Sequence, residues 1–260
     1  REAVASGAYG PCAETYRLDF SELRAPGRYT VVAHGAAGGV SSRVVRVDAN
    51  AYAGAADTLL VYMRQQRSGY NPFFRDSVHK LDGIVVDDSL LAGTFVPVSG
   101  GWADAGDYLQ YVTTSATATS MMLMSYRDHP ASFGDAFDAR GLPGANGTPD
   151  VLDEARHGLE WLLRMFPEGG PMFNQLGDDR DHSFLDLPTT DSSDYGWGRG
   201  RERPVYPCTG RPQGLLRYKN RSTGHASTAG KYASALALGA QLFAERDPAF
   251  AQTLARRAEA

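Results

Sequence analysis

The chain has 260 residues, 42% of them hydrophobic and 22% charged, with a formal net charge of −4. This composition fits a globular protein. The acidic balance, with a pI near 5.9, argues against a nucleic acid as the main partner, which would select a basic face. No apolar run approaches the ~20 residues that a membrane helix needs. The two cysteines, Cys12 and Cys208, lie far apart in sequence, and their spacing gives no metal motif. They would pair only if folding brought them together.

Residues 14–48 read as strands. Tyr16–Phe20 alternates, Ala25-Pro26-Gly27 reads as a turn, and Arg28–Ala33 is β-branched and aromatic. A Gly-rich turn at 35–39 leads into Ser42–Val47. Strands this close, with short turns, suggest the last hairpins of a β-sandwich. Any β-rich appendage, including a carbohydrate-binding module, fits the same pattern.

After Asp48 the pattern turns helical. Ala51–Gln66 places Ala55, Leu59, Tyr62 and Met63 at helical spacing. Residues 67–106 are loop-rich. Asp107–Tyr126 reads as a long helix whose Met121–Met124 cluster is expected to be core. Asp150–Phe166 is a third helix, entered through Thr148-Pro149. Its Asp153 and Glu154 are read as first-turn charges or structural contacts. A second loop region, 167–221, precedes a helix over Thr223–Glu245 and another from Pro248. Helices parted by long loops, without intervening strands, favour packed helical hairpins over a βαβ fold.

Long loops in a compact domain tend to be functional. The first ends in Gly100-Gly101-Trp102-Ala103-Asp104-Ala105-Gly106-Asp107-Tyr108. Two carboxylates three residues apart fall on one side of a helical turn. Aromatic rings such as Trp102 and Tyr108 beside carboxylates suit a sugar, whose C–H face meets a ring while its hydroxyls find acceptors. A plainer reading makes Asp104 an N-cap and Asp107 the third residue of a helix. Both readings stand on spacing alone. The second loop carries Asp178-Asp179-Arg180-Asp181-His182, then Tyr195, Trp197 and Tyr206 as stacking candidates beside ordinary loop packing. For Asp178 and Asp179 the default is a solvated face.

The run Gly100–Tyr108 resembles the Gly-Gly-Trp-x-Asp-Ala-Gly-Asp-Tyr signature of glycoside hydrolase family 9. Agreement continues in order through Gln66-Arg67-Ser68-Gly69, His79–Gly83, Pro149–Glu154, Gly158–Met165, Asp181-His182 and Arg203–Tyr206. The resemblance implies a mainly α chain. Residues 49–260 would be the N-terminal part of an (α/α)6 barrel, and 1–48 the remnant of a small immunoglobulin-like β-sandwich. It implies inverting hydrolysis of β-1,4-glycosidic bonds in a β-glucan, with no nucleic-acid or membrane partner, by a secreted or periplasmic enzyme.

The resemblance also assigns roles. Asp107 would be the general base that activates water, and Asp104 would orient that water. The resemblance places His182 near the sugar, and Trp102, Tyr108, Tyr195, Trp197 and Tyr206 are the aromatic candidates for substrate contact. Carboxyls ~5–5.5 Å apart mark a retaining enzyme and ~6.5–9.5 Å an inverting one. Asp104 and Asp107 leave one short loop from one side, so their closeness does not make them acid and nucleophile. The proton donor should be a glutamate from a distant segment, and no matching motif is found here. The chain is therefore read as part of a longer enzyme. A non-catalytic polysaccharide-binding remnant and a helical interaction domain with acidic loops are the alternatives.

No cofactor is expected for catalysis. Structural calcium occurs in the family, but its ligands are not assigned. Structural zinc in some members uses a cysteine after the Gln-Arg pair and another before the histidine. Here those positions are Ser68 and Val78, with His79 retained. A lone histidine cannot complete a four-ligand site, so zinc is not expected.

Overall fold

The computed structural model describes residues 2–36, 38–183, 186–212 and 224–260. The chain divides into two units, Arg1–Ala53 and Gly54–Ala260.

In the first unit, β1 (Val4–Tyr9) pairs antiparallel with β2 (Cys12–Arg17). β3 (Gly27–Tyr29) pairs with β6 (Val45–Val47), and between them β4 (Val32–Gly35) pairs with β5 (Gly38–Ser41). The expected strand 28–33 is thus broken in two, the expected 42–47 is shortened to Val45–Val47, and a strand at Gly38–Ser41 begins inside the expected Gly-rich turn. Among the described residues of this unit none is buried. The described residues of this unit form antiparallel ladders.

The second unit has five α-helices among its described residues. These are α1 (Ala55–Gln65), α2 (Val112–Asp128), α3 (Asp150–Met165), α4 (His225–Phe243) and α5 (Pro248–Glu259). The predicted start of α4 at Thr223 lies outside the described residues. α3 is the centre of the packing, meeting α1, α2 and α4, while α5 folds back on α4. Val151, Leu152, Leu159 and Leu162 of α3 join Val112 and Leu123 of α2, Leu236 and Phe243 of α4 and Leu254 of α5 in one core. Each such side chain contributes roughly 1.5–3 kcal/mol by leaving water. Gly158 lets the helices close up, because a Cβ there would strike Thr119 Oγ1 and the Trp102 ring.

Two helix faces differ from the sequence pattern. On α1, Leu59 and Tyr62 are exposed, and Leu60 and Arg64 are buried instead. The helix is turned so that Arg64 reaches Asp150 at 3.2 Å and lies over the Phe137 ring. In the methionine cluster of α2 only Leu123 is fully buried. Met122 packs at its edge, and Met121 and Met124 face outward.

The inter-helical stretches do carry strands. β7 (Gly69–Asn71) and β8 (Asp76–Val78) form a hairpin. A four-stranded sheet joins β10 (Gln110–Tyr111), β11 (Phe173–Leu176), β12 (Pro204–Pro207) and β9 (Ile84–Val85) in that spatial order. The β12–β9 pair is parallel and the other two antiparallel. Every residue of β11 and β12 is buried, so no alternation marks them. This sheet positions the site. β10 follows the Asp104–Asp107 loop, β11 leads into the Asp178–His182 turn, and β12 follows Arg203.

Candidate active site

Asp104 and Asp107 lie in a run of bends, not in a helix. Pairing of Gln110 and Tyr111 with β11 keeps the chain extended up to Val112, where α2 starts. Neither carboxylate caps α2, whose N-cap position is Tyr111 without a side-chain cap. The loop is instead closed on itself. Asp104 N–H donates to Leu109 O at 2.8 Å, and Leu109 N–H donates to Asp107 Oδ1 at 3.3 Å. The helical-turn and capping readings are both corrected by this geometry.

Buried side chains hold the loop by its backbone. Gln110 Nε2 donates to Gly100 O at 2.7 Å, and Ser68 N–H donates to Gly101 O at 2.9 Å. His157 Nε2 donates to the same Gly101 carbonyl at 2.9 Å. Burial pushes His157 down to about 4, so its ring is neutral with the proton on Nε2. Gly101, at φ 70°, lies so close to Trp161 that a Cβ would fall 2.6 Å from the indole. Trp102 Nε1 donates to Glu154 Oε1 at 2.8 Å, and Arg67 grips both oxygens of Glu154 at 3.0 and 2.7 Å. At the far end, Arg203 donates to Tyr108 O, to both oxygens of Asp82 at 2.8 Å and to Gln110 Oε1 at 2.6 Å.

The second acidic loop is held the opposite way, by its own carboxylates. Asp178 is buried, not solvated as its charge run suggested. It accepts from Arg180 Nε at 2.8 Å and from the Tyr206 hydroxyl at 2.7 Å. Asp179 is half-buried. A short 3-10 helix, Asp179–Ser183, then buries Asp181 and exposes His182. Tyr195 donates its hydroxyl to Asp181 Oδ1. Burial lifts the Asp181 carboxyl to about 7, against the pull of Arg203 and Tyr195. His182 Nε2 lies 2.8 Å from Asp107 Oδ2. The two loops therefore meet, which the sequence order alone does not show. Tyr111 registers the meeting. Burial, and then the charges of Asp104, Asp179, Asp107 and Asp181, push its phenol up to about 12.

The aromatic candidates are placed unevenly. Trp102, Tyr108, Tyr195 and Tyr206 are buried. Tyr108 donates to Asp186 O and its ring lies 4.8 Å from that of His79. Trp197 is half-buried, donates to Glu202 O at 2.9 Å and faces the Tyr195 ring at 6.0 Å. Of the six residues expected to contact sugar, His182 is the exposed one. Asp107 lines a cleft of about 220 Å³ with Gln66, Ser68, His79, Tyr108 and Pro188. Asp104 lines a smaller hollow of about 140 Å³ with Tyr62, Met63 and Thr114, and Gln66 and Ala103 border both. Sequence reasoning missed Arg203, Gln110 and His157 as supports of this loop. Of these only Arg203 lay in a segment that the resemblance had singled out, Arg203–Tyr206.

Ser68 and Val78 come together with His79 on the wall of the larger cleft. Ser68 and Val78 supply no thiolate, and His79 Nδ1 is engaged by Asp191 Oδ2 at 3.2 Å, so this donor set does not fit zinc. Among the described residues no group of three or more His, Cys, Asp or Glu is placed to hold a metal ion. Glu154 is locked in its pair with Arg67, and Glu202 pairs with Arg201 at 3.2 Å.

A model of glycosyl hydrolase family 9 matches residues 52–260. A xyloglucan-specific endo-beta-1,4-glucanase of Bacteroides ovatus is 32% identical over 175 residues, 61% of this chain and 28% of the relative. Endoglucanase C of Cellulomonas fimi is 30% identical over 271 residues, 91% of this chain and 22% of the relative. The chain thus spans about a fifth to a third of the length of these curated relatives. A metagenome-derived family 9 endoglucanase of known crystal structure superposes with a TM-score of 0.67 at 34% identity, over 95% of this chain and 41% of that one. With the signature loop, the aspartate turn and the helical packing all inside the matched residues, the chain belongs to glycosyl hydrolase family 9.

Proposed function

We propose that this chain carries the base side of an inverting endo-β-1,4-glucanase site. The observation that supports the reading most is the state of Asp107. Its carboxylate lines a cleft and is aimed by the Leu109 N–H and by His182. A general base needs this, a fixed rotamer with a free lone pair toward water. In the proposed step Asp107 takes a proton from a water that attacks the anomeric carbon of a β-glucan. Asp104, exposed at the neighbouring hollow, helps orient that water, and His182 holds the rotamer of Asp107. The leaving oxygen must be protonated from the opposite face, and no residue of this chain is assigned that role.

The same reading takes the helices of Gly54–Ala260 as part of an (α/α)6 barrel and the ladders of the first unit as part of an immunoglobulin-like domain. Because a glucan polymer stays outside the cell, it also places the enzyme in a secreted or periplasmic location. The step uses two carboxyls and a water. Calcium, where present, would be structural, and no ligands are assigned to it.

Asp107→Asn keeps the size and hydrogen bonding of the side chain but cannot accept the proton. In the intact enzyme it should lower turnover on soluble β-1,4-glucan by roughly 10² or more, with little change in glucan affinity. Near-normal turnover would sink the assignment. Proton NMR of the earliest product should show the α-anomer, and an initial β-anomer would mean retention.

A further inference from the structure

Asp181 lines none of the clefts described above, and among the described residues it has no ion-pair partner. It is fully buried, and its Oδ2 has no hydrogen-bond partner among the described residues. A Cβ on Gly177, at φ 79°, would fall 2.5 Å from that oxygen, so the carboxyl is pressed against backbone that glycine alone leaves open. A buried, half-satisfied carboxyl is destabilising, and such groups call for an explanation in the protein's function.

The explanation lies in what the group is tied to. Tyr195 is held at both ends by one turn. Its hydroxyl donates to Asp181, and its carbonyl accepts from Arg180 Nη1. Tyr195 is itself buried, so it acts as a fixed strut. The turn it braces presents His182, whose Nδ1 lies 3.2 Å from Asp179 O and whose Nε2 lies 2.8 Å from Asp107 Oδ2. His182 is otherwise exposed, and an exposed imidazole without support would sample several rotamers.

We propose that Asp181 is a positioning residue: by binding Tyr195 beneath the turn, it fixes His182 against Asp107 and so aims the carboxylate that takes the proton from water. The inference rests on the reading of Asp107 as the base. The electrostatics agree. Burial, reinforced by Asp191 and Asp178 and opposed by Arg203 and Tyr195, brings Asp181 to about 7. Below that pH it braces the turn as a neutral acid, without repelling Asp107.

The test is a cycle in the intact protein. Asp181→Ala and Tyr195→Phe should each lower kcat about tenfold while KM stays within about twofold. Asp181→Asn, whose amide oxygen still accepts from Tyr195, should restore most of the loss. In a His182→Ala background, Asp181→Ala should add nothing further, because its effect runs through His182. A crystal structure of Tyr195→Phe should show His182 Nε2 beyond hydrogen-bond reach of Asp107. Additive losses from Asp181→Ala and His182→Ala would overturn the proposal, and so would an unchanged contact in Tyr195→Phe. If Asp181→Ala fails to fold, Tyr195→Phe, which loses one hydroxyl, carries the test alone. If the intact protein hydrolyses no β-glucan, the reading of Asp107 falls, and the His182–Asp107 contact in Tyr195→Phe still decides the role of Asp181.

Discussion

The two acidic loops have similar composition and opposite construction. In Gly100–Gln110 the loop is held mainly through its carbonyls, by Gln110, His157, Ser68 and Arg203, while Asp107 keeps a face toward the cleft. In Asp178–Arg203 the carboxylates are themselves the struts, binding Arg180, Tyr206, Tyr195 and His79. A carboxylate buried against protein donors offers water no open lone pair, whereas one that lines a cleft does. A loop whose acids are to react must be fixed by other groups. The contrast explains why Asp107 and not Asp178 or Asp181 is the candidate base, although all three stand in Asp-rich runs.

The sharpest way to break the contrast is to remove the cation that serves both loops. Arg203 is fully buried and bound by Asp82, Gln110 and the Tyr108 carbonyl. Arg203→Met keeps much of the volume but leaves Asp82 as a buried, unpaired charge. Denaturant unfolding should show a loss of about 3–5 kcal/mol. A loss below ~1 kcal/mol would mean that the loop does not hang from this residue.

Much of this was legible in the sequence, and the limits are physical. Helices α3, α4 and α5 follow their apolar spacing and breakers closely, because long amphipathic segments carry many independent signals. The Gly100–Tyr108 signature marked the loop that is proposed to carry the base. The strands β9–β12 were not legible, being two to four residues long and, in β11 and β12, buried on both faces. Asp178 was read as solvated because a run of charges looks the same whether its partners are waters or Arg180 and Tyr206. Arg180 stands only two residues away, but Tyr206 is brought in by the β11–β12 pairing, which is long-range. The same holds for α1, where Arg64 replaces Leu59 on the inner face because Asp150 waits there.

A smaller effect separates strut from surface charge at Asp178. If it is a strut, Asp178→Asn should cost about 1–3 kcal/mol, since Arg180 and the Tyr206 hydroxyl lose a buried acceptor of full charge. Surface substitutions stay within about 0.5 kcal/mol. A value in that range would return Asp178 to a solvated face.

The pH dependence of stability gives the contrast a sign. Asp181 is lifted to about 7 in the folded protein, against 3.8 as the ordinary value. Between those limits the folded state holds a proton that the unfolded state has released, so stability falls as pH rises from about 4 to about 7. Asp153, raised to about 6 by burial, contributes in the same direction. Asp191 is held down to about 2 by His79 and Ser193, so its contribution is present above the ordinary range and lost as pH falls toward 2. Asp181→Asn should therefore flatten the decline between pH 4 and 7 without removing the loss at strong acid. An unchanged decline would show that Asp181 is ionised throughout.

The smallest expected effect falls on Asp104. Its backbone N–H closes the loop onto Leu109, a contact that Asn retains, and its side chain is exposed beside the smaller hollow. Asp104→Asn should change unfolding free energy by no more than about 0.5 kcal/mol. If Asp104 orients the attacking water, turnover should nonetheless fall, by less than for Asp107→Asn, with the melting curve superimposed on that of the parent. Loss of stability and turnover together would place Asp104 among the struts and erase the distinction between the loops. Loss of neither would leave Asp107 and His182 as the whole of the base side.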